Sequence, residues 1–235
     1  AYGGSSGGKL GTSSELYKEL KKNGAQVGNE VQTYTYWGDK PFTSGPVYFG
    51  SLVCFLFVLG MFIIRNQMKW WLFAGSIFLV FLALGRNFDA FNDIMFHYLP
   101  LYNKFRTVEM ALVIPGLVFP VIAIWGLKTV FSGNVDDKEF KRCFLWSLGI
   151  TGGICLIICL IPSLLLNFHS AYDSQFQNQV PEWYYSALLM DRSSLASADA
   201  LRSLIFILLG AALLFWYWKS KNKKSTATIV SAGIA

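Results

Sequence analysis

Charge is scarce in this sequence: only 14% of its 235 residues are Asp, Glu, Lys or Arg, against roughly a quarter in soluble domains. A chain that carries so little charge and is 54% hydrophobic, with a mean hydropathy of +0.42, reads as a membrane protein. Histidine is rarer still, at two residues, so His-rich metal centres have little to draw on. No glycine-rich phosphate loop, no Ser-His-Asp spacing and no H-E-x-x-H motif occurs. The four cysteines, Cys54, Cys143, Cys155 and Cys159, all lie in or beside apolar runs, where a small polarizable side chain serves packing. The formal net charge is +6, but Lys and Arg form no basic stripe, which argues against nucleic acid as a partner. A basic leader followed by an apolar stretch is also missing from Ala1 to Gly11, and the expectation is an internal piece of a larger protein.

What is present is a series of apolar runs separated by three long polar segments. The fold class this predicts is all-α: a polytopic bundle of about five spans, with extracytoplasmic loops that contain short interfacial helices. The expected spans are 47–64, 70–84, 110–127, 143–166 and 203–218. At 1.5 Å per residue the first rises about 27 Å, the second only about 23 Å and the fourth about 36 Å. Pro115 and Pro120 predict a bend in the third, and Gly149, Gly152 and Gly153 predict close helix contact along the fourth.

The domain organisation follows: 1–44 is a polar segment with a short surface helix near Ser13 to Lys22, 45–218 is the membrane domain, and 219–235 is a basic segment leading into a further truncated span. Val180 to Leu195 places Trp183, Ala187, Met190 and Leu195 on one side, which predicts a helix lying flat at the interface. Aromatic residues gather at the ends of runs, as in Trp216-Tyr217-Trp218 before Lys219.

Basic residues set the orientation. Arg65, Lys69, Lys128, Lys138, Lys141, Arg142, Lys219, Lys221, Lys223 and Lys224 fall in one set of connections, and Arg86, Lys104, Arg106, Arg192 and Arg202 are spread over the two longer loops that follow spans on the other side. The first set is expected in the cytoplasm of a bacterial inner membrane, with the N-terminal segment, 85–109 and 167–200 outside.

The central stretch, Gly85 to Glu109, holds the chemistry that the apolar runs lack. Three basic groups, three carboxylates and a histidine are mixed there with six Phe and Tyr rings. Arg86, Lys104 and Arg106 offer a fork and point charges suited to phosphate oxygens; pairing with Asp89, Asp93 and Glu109 is the plainer alternative. His97 is a candidate acid-base group or a satisfied interfacial histidine. Asp89 and Asp93, four apart, share a helix face without a third ligand, so no metal site or cofactor is assigned and a divalent cation is only a weak alternative.

Three segments, Y-W-G-D-K-P-F-T-S-G-P-V-Y (36–48), H-Y-L-P-L-Y-N-K-F-R (97–106) and D-R-S-S-L-A-S-A-D-A-L-R-S-L-I-F (191–206), resemble the YfhO family of bacterial membrane proteins, and the likeness runs from about Tyr36 to Trp218. The family is polytopic and similar to GT-C glycosyltransferases. The resemblance implies transfer of sugar from a polyprenyl-phosphate-linked donor to a cell-envelope glycan acceptor, with membrane lipid as surroundings. It implies donor phosphate at Lys104 and Arg106, then Arg86, and a substrate loop that includes His97, Tyr102, Asn103, Glu109 and Asp39. The catalytic residue is unassigned, since GT-C enzymes carry their carboxylate in a first outer loop, and these residues alone are expected to be inactive. A transporter or flippase of lipid-linked sugars and a non-catalytic envelope scaffold are the alternatives.

Overall fold

A computed structural model describes residues 8–37, 48–98, 108–133, 135–170, 173–177 and 179–220. The described chain is mostly helical. Three helices are long and apolar enough to cross a membrane: Met110–Phe131, Asp137–Leu160 and Glu182–Lys219. The elements run β1 (Gly8–Gly11), α1 (Glu15–Lys22), β2 (Glu30–Thr33), α2 (Ser51–Ile63), α3 (Met68–Leu84), α4 (Asp89–Tyr98), α5 (Val113–Phe131), α6 (Asp137–Leu160), α7 (Asp173–Gln177) and α8 (Glu182–Lys219), with 3-10 segments at Gly85–Phe88, Val108–Leu112 and Pro162–Leu164. They divide into two compact units: residues 1–48 with 155–202, and residues 49–154 with 203–235.

In the first unit, β1 and β2 pair antiparallel, Gly8 opposite Thr33 and Gly11 opposite Glu30, a hairpin that the all-α reading did not include. Leu10 and Val31 alternate inward with Leu16 of α1 onto Ala187 and Leu188 of α8, and Tyr17, Leu20, Val27 and Tyr184 close the cluster. The short helix near Ser13 to Lys22 is therefore present, and Leu16 is fully buried.

In the second unit, α2 crosses α5 at two glycines. A Cβ on Gly126 would lie 2.6 Å from Gly60 Cα, and one on Gly60 would lie 2.6 Å from the Ile122 carbonyl oxygen, so no side chain fits at either position without moving backbone. Phe57 stacks on Phe119 with centroids 4.1 Å apart, and Phe49 meets the same ring at 5.1 Å. The glycines expected to make close contacts behave otherwise: Gly149 and Gly153 have open space beside them, and Gly152 has only ordinary contact with Leu148 and Leu204.

Several boundaries differ from the sequence reading. Helix α2 has 13 residues, about 20 Å, because the chain turns at Gly50 with φ 84°; alone it is shorter than the hydrocarbon layer. Helix α3 takes in Met68 and ends at Gly85, whose φ of 50° favours glycine. Helix α6 begins at Asp137, not 143, since its charged first turns are helical, and Pro162 stops it before 166. Pro120 removes one backbone donor inside α5, yet the helix continues past it to Phe131.

The separate interfacial helix is not found: α8 is one helix of 38 residues. Between Glu182 and Leu209 there is no glycine or proline to break it. Its buried face matches the expected one only in part. Of the four residues expected on one side, Ala187 is buried and Trp183 half-buried but Met190 and Leu195 are exposed, while Tyr185, Leu188, Asp191, Arg192 and Ala196 are buried. Spacings of three, four and seven residues put these on one side.

Candidate functional site

Among the described residues the densest polar cluster lies in the first unit, around Arg192. Its side chain is 0% exposed, and all five guanidinium N–H groups have acceptors. Nη1 donates to Asp173 Oδ2 at 2.7 Å and to the Phe168 carbonyl at 2.8 Å. Nη2 donates to Asp173 Oδ1 at 2.9 Å and to the Tyr34 carbonyl at 3.0 Å, and Nε reaches the same carbonyl at 3.3 Å. The two planar groups meet as a bidentate pair, the strong geometry for this ion pair. One arginine thus joins α8, α7 and two irregular stretches, 34–37 and 166–170.

Asp173 is equally well supplied. Besides Arg192, it accepts from the Ser170 amide at 2.9 Å and the Tyr185 hydroxyl at 3.1 Å. Burial pushes its carboxyl up, but the Arg192 hydrogen bonds, the Ser170 amide and the guanidinium charge outweigh burial and hold it below the ordinary carboxylate range. Since the Tyr185 proton is given to Asp173, the 2.9 Å contact between Tyr185 Oη and His169 Nδ1 requires Nδ1–H as donor. The result is a chain from exposed His169 through Tyr185 and Asp173 to buried Arg192. Trp37 packs edge-on against Phe168 beside it, centroids 5.3 Å apart.

Asp191, the preceding residue, has a different task. Its Oδ1 accepts from the Glu15 amide at 2.8 Å and its Oδ2 from the Leu16 amide at 2.9 Å. Ser14 Oγ takes the Tyr17 amide at 3.2 Å. Two of the amides left open at the start of α1 are thereby closed by a carboxylate some 176 residues away in sequence, favourably placed at the positive helix end.

The second unit gathers its charge at one end. Arg65 pairs with Glu139 at 2.6 Å, Trp218 Nε1 donates to Asp137 at 3.0 Å, and Phe131 of α5 meets Tyr217 of α8 at 4.8 Å. Lys69 is 8% exposed and gives its ammonium to the Met61 carbonyl at 2.6 Å. Helices α2, α5 and α8 therefore end where α3 and α6 begin, and the connections expected to be cytoplasmic share that end. Phe78 and Phe81 in the second half of α3 pack on Phe91 of α4, which places α4 toward the other end. Between α2 and α5 lies a cavity of about 710 Å³ with walls from Leu52, Leu56, Ala123, Ile124 and Leu127, and with Lys128 and Ser132 as its polar members.

Of the residues singled out in the sequence, His97 is exposed on α4, and its Nδ1 lies 2.9 Å from the Asp93 carbonyl one turn earlier. Asp89 and Asp93 belong to the same helix, as their spacing predicts. Asp39, Tyr102, Asn103, Lys104 and Arg106 lie outside the described residues, as do the side chains of Arg86 and Glu109. Among the described residues no group of three or more His, Cys, Asp and Glu is placed to hold a metal. The cysteines are free thiols, buried or partly buried. Comparison with known proteins finds no matching family model, no matching curated protein and no matching solved structure.

Proposed function

We propose that this chain is the membrane portion of a GT-C-like glycosyltransferase related to the YfhO family, transferring sugar from a polyprenyl-phosphate donor to an envelope glycopolymer on the extracytoplasmic side. Lys104 and Arg106, with Arg86, stabilise the departing phosphate by positive charge. Tyr102, Asn103, Glu109, His97 and Asp39 form the substrate loop, and no catalytic residue is assigned.

The observation that carries the reading is the separation of charge in the second unit. Arg65 and Lys69 mark the end where α3 begins, whereas α4, which leads into 99–107, packs on the far half of α3. With that end taken as outward, Lys104 and Arg106 are kept against the orientation bias, and a lipid phosphate at the outer interface is the simplest use for them. The transporter reading loses part of its motive, since α5 runs unbroken through Pro120.

The test is transfer of labelled sugar from a polyprenyl-phosphate donor in vesicles that contain the whole gene product. Transfer by the wild type, lost in Lys104→Ala and Arg106→Ala at equal protein level, supports the reading. Movement of donor across the bilayer without transfer would replace it with the transporter.

A further inference from the structure

We infer that the cavity between α2 and α5 holds an acyl chain of an anionic phospholipid whose phosphate sits at Lys128. The volume, about 710 Å³, falls within the range of built ligand sites. Its lining is hydrocarbon from Leu52, Val53 and Leu56 on one wall and Ala123, Ile124 and Leu127 on the other. Among the described residues that line it, the cation is Lys128, in the last turn of α5.

Charge decides which lipid. Of the carboxylates near that end, Glu139 pairs with Arg65, Asp137 accepts from the Trp218 indole, and Asp136 is exposed. Among the described residues Lys128 is exposed and has no ion-pair partner. Lys138, Lys141 and Arg142 stand in the first turns of α6, Lys219 ends α8, and this end is left net positive. The carbonyls that close α5 oppose an anion directly beneath them, so the phosphate must be met by the ammonium at the tip of the exposed lysine stem. A zwitterionic headgroup gains less there, because its own cation faces the same positive end.

The described lining shares no residue with the proposed donor set of Lys104, Arg106 and Arg86, and the inference does not depend on the glycosyltransferase reading. The test is native mass spectrometry of the full chain released from nanodiscs containing equal phosphatidylglycerol and phosphatidylcholine. One phosphatidylglycerol is expected to remain bound to the wild type. Lys128→Ala lowers its occupancy about fivefold, the factor expected for one lysine near a lipid phosphate. Ile124→Trp abolishes retention by filling the groove, and because Ile124 is 66% exposed this change leaves the helix contacts alone. Lys138→Ala, a cation that does not line the groove, retains the lipid. Equal retention of both lipids by the wild type, or unchanged retention in Lys128→Ala and Ile124→Trp, overturns the inference.

Discussion

The two units of this chain solve the same problem, holding helices together, by opposite means. In the first, the buried partners are charged and polar: Arg192 with Asp173, Asp191 with the start of α1, Tyr184 with Thr33 across 3.0 Å. In the second, backbone approaches backbone at Gly60 and Gly126, phenylalanine rings stack, and among the described residues no carboxylate is buried. The difference teaches what each surrounding rewards. Between apolar helices in lipid, hydrophobic burial gives little preference for one arrangement, and close van der Waals packing at small residues decides it. A short hairpin, a two-turn helix and long irregular stretches have too little apolar area for that, so directed hydrogen bonds fix their geometry.

The sharpest way to break the comparison is Arg192→Ala. It strands Asp173 as a buried, unpaired carboxylate and leaves the Phe168 and Tyr34 carbonyls without donors, and a loss of about 3–5 kcal/mol in the stability of the first unit is expected. Urea unfolding followed by region-resolved amide exchange measures it. A loss below about 1 kcal/mol would mean that the network contributes little. Arg192→Lys recovers only part, because an ammonium has three donors and cannot match the carboxylate fork.

Acid attacks the same point. The Asp173 carboxyl is held below its ordinary value, so its contribution is complete above the unfolded value of about 3.9 and is lost as pH falls below that toward the folded value. Amide protection in the first unit is expected to drop below about pH 4 while α2 and α5 keep theirs. Simultaneous loss in both units would contradict the division.

Gly126→Ala tests the other unit. The added Cβ meets Gly60 Cα, and a cost of about 1–3 kcal/mol is expected, confined to α2 and α5. Asp191→Ala opens two helix amides at once and should cost about 1–2 kcal/mol, seen as faster exchange at Glu15 and Leu16; Asp191→Asn keeps one acceptor and recovers part. At the small end, Lys18→Ala removes an exposed pair with Glu15 and should shift stability by less than about 0.5 kcal/mol.

The apolar runs were legible because span length and composition report on lipid directly: runs near 110, 143 and 203 each belong to a long apolar helix. What stayed hidden was which polar residues turn inward. Reading 180–195 by its apolar residues chose Met190 and Leu195, but the buried side carries Asp191 and Arg192, whose partners lie near positions 15, 34, 168 and 173. No local pattern encodes pairings across that separation. One signal was available: Tyr184, Leu188 and Asp191 with Tyr185 and Arg192 repeat at helical spacing, and an adjacent Asp-Arg on such a stripe points to paired burial. Gly60 and Gly126 were missed because the glycine cluster in α6 drew the contact prediction, and the close approach needs one glycine from each helix rather than three on one.

The most direct test is amide hydrogen exchange on the chain in nanodiscs, wild type against Arg192→Met, a variant that fills the volume without the charge. The division predicts faster exchange in α1, β2 and the first half of α8, with α2 and α5 unchanged. Exchange that rises equally across α2 and α5 would contradict it, and would make Arg192 a support of the whole chain.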